Sequence, residues 1–352
     1  MAARPAERPR RPRPRRGALF AALCVACVLV AGGSLALAAV RARDVRASAP
    51  PVPVRAGVEP ASLEGQSRLV FRSTALDGNY GRIGLVPLTA PDGPRVMTTL
   101  QCDRVYMAAG HGLCLAATRG VITTYSAVLF GADFGPVRKL PIEGLPSRAR
   151  LSPDGRLAAV TVFVAGHSYA GGGFSTRTTI LDAASGRRLV ELEQLTVLRD
   201  GRRWRRADFN FWGVTFARDG DRFYATLASG GRTYLVEGSL RGRSARVLRQ
   251  NVECPSLSPD GTRLAYKWRA PGARVAWHLH VLDLATMADT ALAETRSVDD
   301  QAEWLDDGHL LYSLPEGDQP TAVTDTWVVP AAGGGSPSLL ARAAFSPTVQ
   351  RR

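Results

Sequence analysis

Lysine is nearly missing from this strongly basic chain. Among the 45 Lys and Arg residues of the 352-residue sequence, only Lys139 and Lys267 are lysine. The preference for Arg, together with abundant Ala, is typical of codon usage in a GC-rich bacterium. The net charge is +14, yet no basic patch is interleaved with aromatic residues. The composition therefore gives no support for nucleic-acid binding.

Signatures of catalysis and of cofactor binding are also missing. The sequence has no Gly-x-Ser-x-Gly nucleophile elbow, and the Gly-rich stretch SYAGGGFS lacks the Gly-Lys-Ser/Thr of a nucleotide-binding loop. His278 and His280 lie two residues apart on an expected strand, but no third metal ligand accompanies them. We therefore expect no cofactor, no metal and no catalytic residue.

Helical periodicity is hard to find beyond residue 45, whereas one turn motif recurs. The motif SPDG ends at Gly155 and Gly261, and degraded copies end at Gly112 (AAGHG), Gly220 (ARDG) and Gly308 (LDDG). In the intact copies Pro presets the second position of a type I turn, and Gly suits the fourth. Apolar runs flank the copies, so each indicates a β-hairpin, and we expect positive φ at Gly155 and Gly261.

The spacing of these turns predicts a β-propeller. Successive copies are 43, 65, 41 and 47 residues apart, and a second strand–turn unit follows most of them. Four short strands per repeat make one propeller blade. An earlier unit brings the count to six blades, at roughly 61–100, 101–145, 146–203, 204–250, 251–300 and 301–349. A β-sandwich is the alternative, but it does not need one turn repeated at near-constant spacing.

Two alternatives are open for closing the ring. Either PASLEGQSRLVF is a degraded copy of the SPDG hairpin that completes blade one, or the C-terminal segment ARAAFSP returns to supply the first strand of that blade.

The stretches LSPDGRLAAV…TILDAASG and LSPDGTRLAYKW…LHVLDLATM resemble the repeats of TolB-like, WD-type propellers. The resemblance covers about 290 residues, with two good copies and three degraded ones. It implies an all-β, six-bladed binding scaffold outside the cytoplasm. TolB has an α/β domain before its propeller, whereas about twenty residues separate the apolar segment from blade one here. This difference puts the partners of TolB in doubt.

The N-terminus indicates a membrane segment. Residues 1–16 carry seven Arg and one Glu, and residues 17–40 carry no charge over a length that can span a bilayer. The Arg-rich tail places the C-terminal side outside the cytoplasm. The alternative is a signal peptide cleaved after ALA at 36–38, which would release the protein. Residues 41–60 are expected to be an extended, Pro-rich linker, and residues 61–352 the propeller.

Three of the five cysteines lie beyond the apolar segment. Cys102 and Cys114 are nearest in sequence and are a possible disulfide, although a regular hairpin centred on Gly110 would place them out of register. Cys102 and Cys254 are expected on opposite blades, which excludes a bridge between them.

Blade three is longer than its neighbours and supplies the site hypothesis. Its excess lies in residues 165–177 and in TVLRDGRRWRRADFNFWG, both rich in aromatic residues. Loops that exceed structural need are good candidates for binding. We expect one binding rim formed by His167, Ser168, Tyr169, Phe174, Ser175, Arg177, Trp204, Asn210 and Trp212. The expected function is non-enzymatic binding of an envelope protein or wall polymer, and the alternatives are a propeller lyase or glycan hydrolase and a structural spacer or sensor domain.

Overall fold

The computed structural model describes residues 16–48, 51–164, 175–272, 276–317 and 322–351. The chain divides into two units, Met1–Pro50 and Pro51–Arg352. The first contains one helix, α1 (Arg16–Ser48), whose segment Gly17–Arg41 has a mean hydropathy of 2.5 and is long enough to cross a membrane. The expected linker differs, because α1 continues through residues 41–48. Its Ala and Arg residues favour helix, and no Pro or Gly interrupts them.

The second unit is a six-bladed β-propeller. Blade one contains β1 (Arg68–Ser73), β2 (Arg82–Pro87) and β3 (Val96–Gln101). Blade two contains β4 (Arg104–Ala108), β5 (His111–Thr118), β6 (Thr124–Phe130) and β7 (Pro136–Ile142). Blade three contains β8 (Leu145–Leu151), β9 (Leu157–Val164), β10 (Ser175–Asp182) and β11 (Arg188–Glu191). Two short 3₁₀ helices, Pro60–Leu63 and Leu192–Gln194, precede β1 and follow β11.

The remaining strands build three further blades. Blade four contains β12 (Thr196–Arg199), β13 (Arg202–Trp204), β14 (Asn210–Phe216), β15 (Arg222–Ser229), β16 (Arg232–Ser239) and β17 (Ser244–Gln250). Blade five contains β18 (Glu253–Leu257), β19 (Arg263–Arg269), β20 (Trp277–Asp283) and β21 (Asp289–Ala291). Blade six contains β22 (Glu303–Asp306), β23 (His309–Pro315), β24 (Thr324–Pro330) and β25 (Ser338–Ala341). The predicted fold is confirmed.

The C-terminal segment closes the ring. The last strand, β26 (Ala344–Gln350), pairs antiparallel with β1, so the sheet of blade one has the order β26-β1-β2-β3. Of the two alternatives for closure, the structure selects the returning C-terminus. The residues PASL at the start of the other segment instead form the first 3₁₀ helix, where Leu63 is buried against blades one and two.

Residues 51–60, the rest of the described part of the expected linker, pack on blade one. Val54 forms a parallel bridge with Arg95, and the Arg55 amide donates to the Arg95 carbonyl at 2.8 Å. The Arg95 amide donates in turn to the Pro53 carbonyl at 2.9 Å. These bonds satisfy backbone groups at the start of β3 and order a segment expected to be a free spacer.

The two intact SPDG copies form the same turn. The Gly155 amide donates to the Ser152 carbonyl at 2.8 Å, and the Gly261 amide donates to the Ser258 carbonyl at 2.9 Å. Each Ser hydroxyl also accepts an amide five residues on, from Leu157 in blade three and from Arg263 in blade five. Both glycines have positive φ, 71° and 76°, as expected.

The earliest turn copy is placed differently from the sequence interpretation. The hairpin between β4 and β5 turns at Ala109 and Gly110, which both have positive φ. Gly112, the expected end of the motif, lies within β5 opposite Phe130, and a Cβ there would overlap the Phe130 ring. Gly112 is therefore a packing glycine.

The core lies between the blades. Six apolar clusters each join two neighbouring sheets, as where Ile180 of blade three meets Phe211 and Phe223 of blade four. Burial of each such large side chain contributes about 1.5–3 kcal/mol. Because neighbouring blades cover both faces of the inner strands, the sequences of those strands are nearly continuous apolar runs.

Candidate functional site

The innermost strand of each blade lines a central channel, namely β26, β4, β8, β14, β18 and β22 in blades one to six. Strands β4, β8, β14 and β18 begin at one end of the channel and finish at the other, because their early residues line one cavity and their late residues line another. We call the end that carries the SPDG turns the turn mouth. The opposite end, formed by inter-blade loops and by the second turn of each blade, is the loop mouth.

Buried ion pairs narrow the channel at its waist. The Arg104 guanidinium lies 2.9 Å from Asp300, and Arg150 bonds Glu303. The Tyr106 hydroxyl also donates to Glu303, at 3.2 Å. Burial raises the pKa of Tyr106 to about 12, so this hydroxyl keeps its proton at neutral pH. Between these side chains the channel leaves a cavity of only 20 Å³, and the waist therefore separates the two mouths.

The loop mouth opens into a cavity of 550 Å³ with mixed chemistry. Its cations outnumber its carboxylates: Arg104, Arg148, Arg232, Lys267 and Arg269 against Asp208, Glu253 and Asp299. Phe163, Trp212 and Trp277 add aromatic surface to the same lining. A cavity of this size with a few polar groups has the dimensions of a binding site.

Lys267 is the most unusual charge in this cavity. Its residue is 2 % exposed, and its ammonium lies 2.6 Å from Asp299 and 4.5 Å from the Trp277 ring centroid. Asp299 is 63 % exposed at the side chain and also lies 3.9 Å from Arg148. A buried cation is costly without a partner. An exposed carboxylate therefore holds two cations at the mouth, in a position where a bound anion could replace it.

The expected rim residues are distributed over three places. His167, Ser168, Tyr169 and Phe174 lie outside the described residues. Ser175, Arg177 and Asn210 line one cavity of 220 Å³ between blades three and four. Asn210 and Trp212, at the start of β14, also line the loop mouth. Their role in binding stays a prediction.

Trp204 lies away from the channel. The hairpin of β12 and β13 adds to the outer edge of blade four, where β12 pairs parallel with β17. Trp204 packs edge-on against Phe209 and Tyr234, with ring centroids 4.9 and 5.3 Å away. The sequence interpretation gave residues 196–203 to blade three. The structure shows instead that they cover the edge strand of blade four, which protects that edge from other chains.

The structure joins Cys102 and Cys114 in a disulfide, with Cα atoms 5.4 Å apart. Cys114 pairs with Val105 across the hairpin, and the Asp103 amide donates to the Leu115 carbonyl at 2.6 Å. That bond turns the segment before β4 toward β5 and overcomes the difference in register. Cys254 is buried and not bridged.

The two histidines noted in the sequence, His278 and His280, both lie on β20. The His280 ring Nδ1 lies 3.1 Å from Asp289 Oδ2, and no group of three metal-ligating side chains occurs in the part of the chain that the structure describes.

Sequence reasoning missed the charged residues of the channel, above all Arg148, Lys267 and Asp299. One signal was available. Arg148 and Arg150 alternate in SRARL directly before the SPDG turn, and alternate residues on the innermost strand share one face. Charges repeated on that face are better explained by a lined channel than by a solvated surface.

The chain matches no family model and no curated protein. Solved structures show the fold. The crystal structure of TolB from Acinetobacter baumannii matches with a TM-score of 0.56 and 13 % identity, over 83 % of this chain and 70 % of that one. The fold is that of a TolB-like propeller. A chain of a nidogen–laminin complex matches this TolB-like propeller with a TM-score of 0.54 and 13 % identity, over 80 % of this chain and 98 % of that one.

A TolB-like propeller of this geometry is suited to binding. The channel offers charges and apolar surface at both ends, while the two carboxylates at the waist, Asp300 and Glu303, are each engaged by an arginine.

Proposed function

We propose that the protein is a non-enzymatic scaffold whose loop mouth binds a segment of a partner protein or envelope polymer outside the cytoplasm. The observation that carries the proposal is the 550 Å³ cavity in which Lys267 and Arg148 share the exposed carboxylate of Asp299. A ligand carboxylate or phosphate can displace Asp299 without leaving the two cations unpaired.

The fold and the N-terminal helix support this proposal. The similar propellers include TolB and a chain crystallised in a nidogen–laminin complex, which is consistent with a propeller that binds other proteins. Helix α1 serves as the membrane anchor, with the propeller on the outer side, and its Arg-rich flank favours this orientation. Cleavage after residue 38 would give a secreted propeller with the same binding face.

Site-specific photo-crosslinking in cells tests the proposal. A photoreactive residue replaces Arg232 at the loop mouth, and the matched control replaces Arg187, an exposed arginine on the opposite end of the blades. We expect adducts from position 232 that decrease when Lys267→Met is added. Protease treatment of the adduct separates a protein partner from a polymer. Equal adducts from both positions, or none from position 232, would contradict the proposal.

A further inference from the structure

The turn mouth contains a second cavity, separate from the loop mouth and independent of the function proposed above. It measures 450 Å³, and its ionisable lining consists of Tyr106, Arg150, Arg218, Glu303 and Arg351. Three guanidinium groups therefore face one carboxylate, an excess of two positive charges among the described lining residues. A concave, positively charged site of this kind attracts anions.

Arg218 occupies this mouth because its blade departs from the repeat. The degraded copy ARDG places Arg218 where the intact copies have Pro153 and Pro259, and all three residues line the cavity. The Arg218 side chain donates twice to the Pro259 carbonyl, through Nε at 3.1 Å and Nη2 at 2.9 Å. The adjacent Asp219 pairs instead with Arg222, at 2.6 Å. Arg218 thus forms no ion pair with any described acidic residue.

Arg351 is fixed in the same way. Its Nη2 donates to the carbonyls of Trp304 at 3.0 Å and Leu305 at 2.7 Å, and its side chain forms no ion pair within the described part of the chain. Backbone carbonyls thus hold both Arg218 and Arg351 in place without neutralising them. Because both side chains are already ordered, less conformational entropy is lost when a ligand binds them, which favours binding.

Arg150 lies at the base of the cavity. It is 5 % exposed and bonds Glu303, Ser256 and the Ala302 carbonyl, yet its Nε has no hydrogen-bond partner. A buried guanidinium N–H without an acceptor is unusual in a native protein. The Arg150 Nε–H is therefore a hydrogen-bond donor without an acceptor at the point where the cavity meets the waist.

The charge and the lining together define the ligand. Guanidinium groups bind phosphate and carboxylate oxygens through paired hydrogen bonds, and a phosphate monoester carries between one and two negative charges at neutral pH. That charge matches the excess of two better than a single carboxylate does. Leu151, Phe216 and Leu257 supply apolar surface for the organic part of such a ligand. We propose that the turn mouth binds a phosphate monoester.

Calorimetric titration of the full chain in detergent micelles tests this site. The probes are inorganic phosphate and glycerol 3-phosphate, with acetate as the carboxylate comparator at equal ionic strength. We expect both phosphates to bind, and Arg218→Ala and Arg351→Ala each to weaken binding at least tenfold, on the order of one charge-assisted contact. Arg218→Pro introduces the residue found at this position in the intact copies. It should weaken phosphate binding to the same extent, because the same turn accommodates Pro153 and Pro259. Arg156→Ala, an exposed arginine on the SPDG turn of blade three outside the cavity, is the control and should change nothing.

Micelles doped with phosphatidic acid distinguish a lipid source from a soluble one. Binding of glycerol 3-phosphate supports a soluble ligand, and binding that needs phosphatidic acid supports a lipid headgroup at the same site. The proposal is overturned if neither phosphate probe nor the lipid binds, if acetate binds as tightly as phosphate, or if Arg156→Ala weakens binding as much as Arg218→Ala does.

Discussion

The two intact SPDG turns provide a matched pair for testing how the repeat determines stability. Gly155 and Gly261 occupy the same turn position with φ of 71° and 76°, but their surroundings differ. A Cβ on Gly155 would lie 2.7 Å from His111 Cδ2 and 2.9 Å from the Ala108 carbonyl oxygen. A Cβ on Gly261 would meet no heavy atom within 4 Å. Gly261→Ala therefore introduces backbone strain alone, whereas Gly155→Ala adds a collision with a neighbouring blade.

The expected magnitudes separate the two variants. Left-handed backbone costs a residue with a Cβ about 1–2 kcal/mol, and this sets the loss of unfolding free energy for Gly261→Ala. Overpacking adds about 1–3 kcal/mol, so Gly155→Ala should lose about 2–5 kcal/mol in total. The His111 ring is exposed and can move, but the Ala108 oxygen belongs to the β4–β5 hairpin and can move only with that backbone.

Urea unfolding of the full chain in detergent, followed by near-UV circular dichroism, measures this difference. Gly220→Ala serves as a third member, because Gly220 has φ of 68° and open space in the degraded copy. It should behave like Gly261→Ala. Equal losses for Gly155→Ala and Gly261→Ala would refute the argument that inter-blade contact, and not only turn conformation, fixes Gly at position 155.

Three further predictions concern single sites. Burial raises the pKa of Glu193 to about 7 from 4.5, so its neutral form stabilises the fold below pH 4.5 and this contribution is lost as the pH rises through 7. Glu193→Gln keeps an acceptor for the Thr178 and Phe211 amides but does not titrate. The variant should therefore reduce the slope of unfolding free energy against pH, between pH 4.5 and 7, by up to about 1.4 kcal/mol per pH unit. The Cys102–Cys114 bridge closes a short loop, with a sequence separation of 12, and Cys102→Ser/Cys114→Ser should lower the unfolding free energy by about 3 kcal/mol, with no further loss on adding reductant. Protease added to intact cells should digest the propeller but spare a cytoplasmic control, and survival of the propeller would contradict an outward orientation of the segment after α1.

The fold could be predicted from the sequence because each repeat carries its own recognisable turn motif. Ser152 and Ser258 precede Pro, and the same three-residue spacing to Gly produces the same hydrogen bonds. Ring closure could not be decided from the sequence, since 60–71 and 341–347 were both candidates for completing blade one. Pairing with β1 depends on contacts between residues at opposite ends of the chain, which local pattern does not encode.

The candidate sites were harder to predict than the fold. Arg148, Arg150 and Lys267 look like ordinary surface charges in an Arg-rich sequence, and only the assembly of the blades into a ring places them along the channel and its mouths. Trp204 was expected at a binding rim because aromatic residues in long loops often bind partners. In the structure it covers an edge beside Phe209 and Tyr234, which uses the same apolar surface. Residue type alone does not separate these uses.

Closure by β26 determines when this protein can become a finished ring. Blade one contains β1, among the first propeller strands to be synthesised, and β26, the last of the propeller strands, so its sheet lacks an inner strand until residues 344–350 have been synthesised. Until then the row of backbone groups on β1 that β26 will bond has no partner, and an unpaired strand edge is prone to pair with other chains. Synthesis of β26 and its pairing with β1 therefore end this exposure, and a nascent chain that stalls before Ala344 keeps an unpaired strand edge that can associate with other chains.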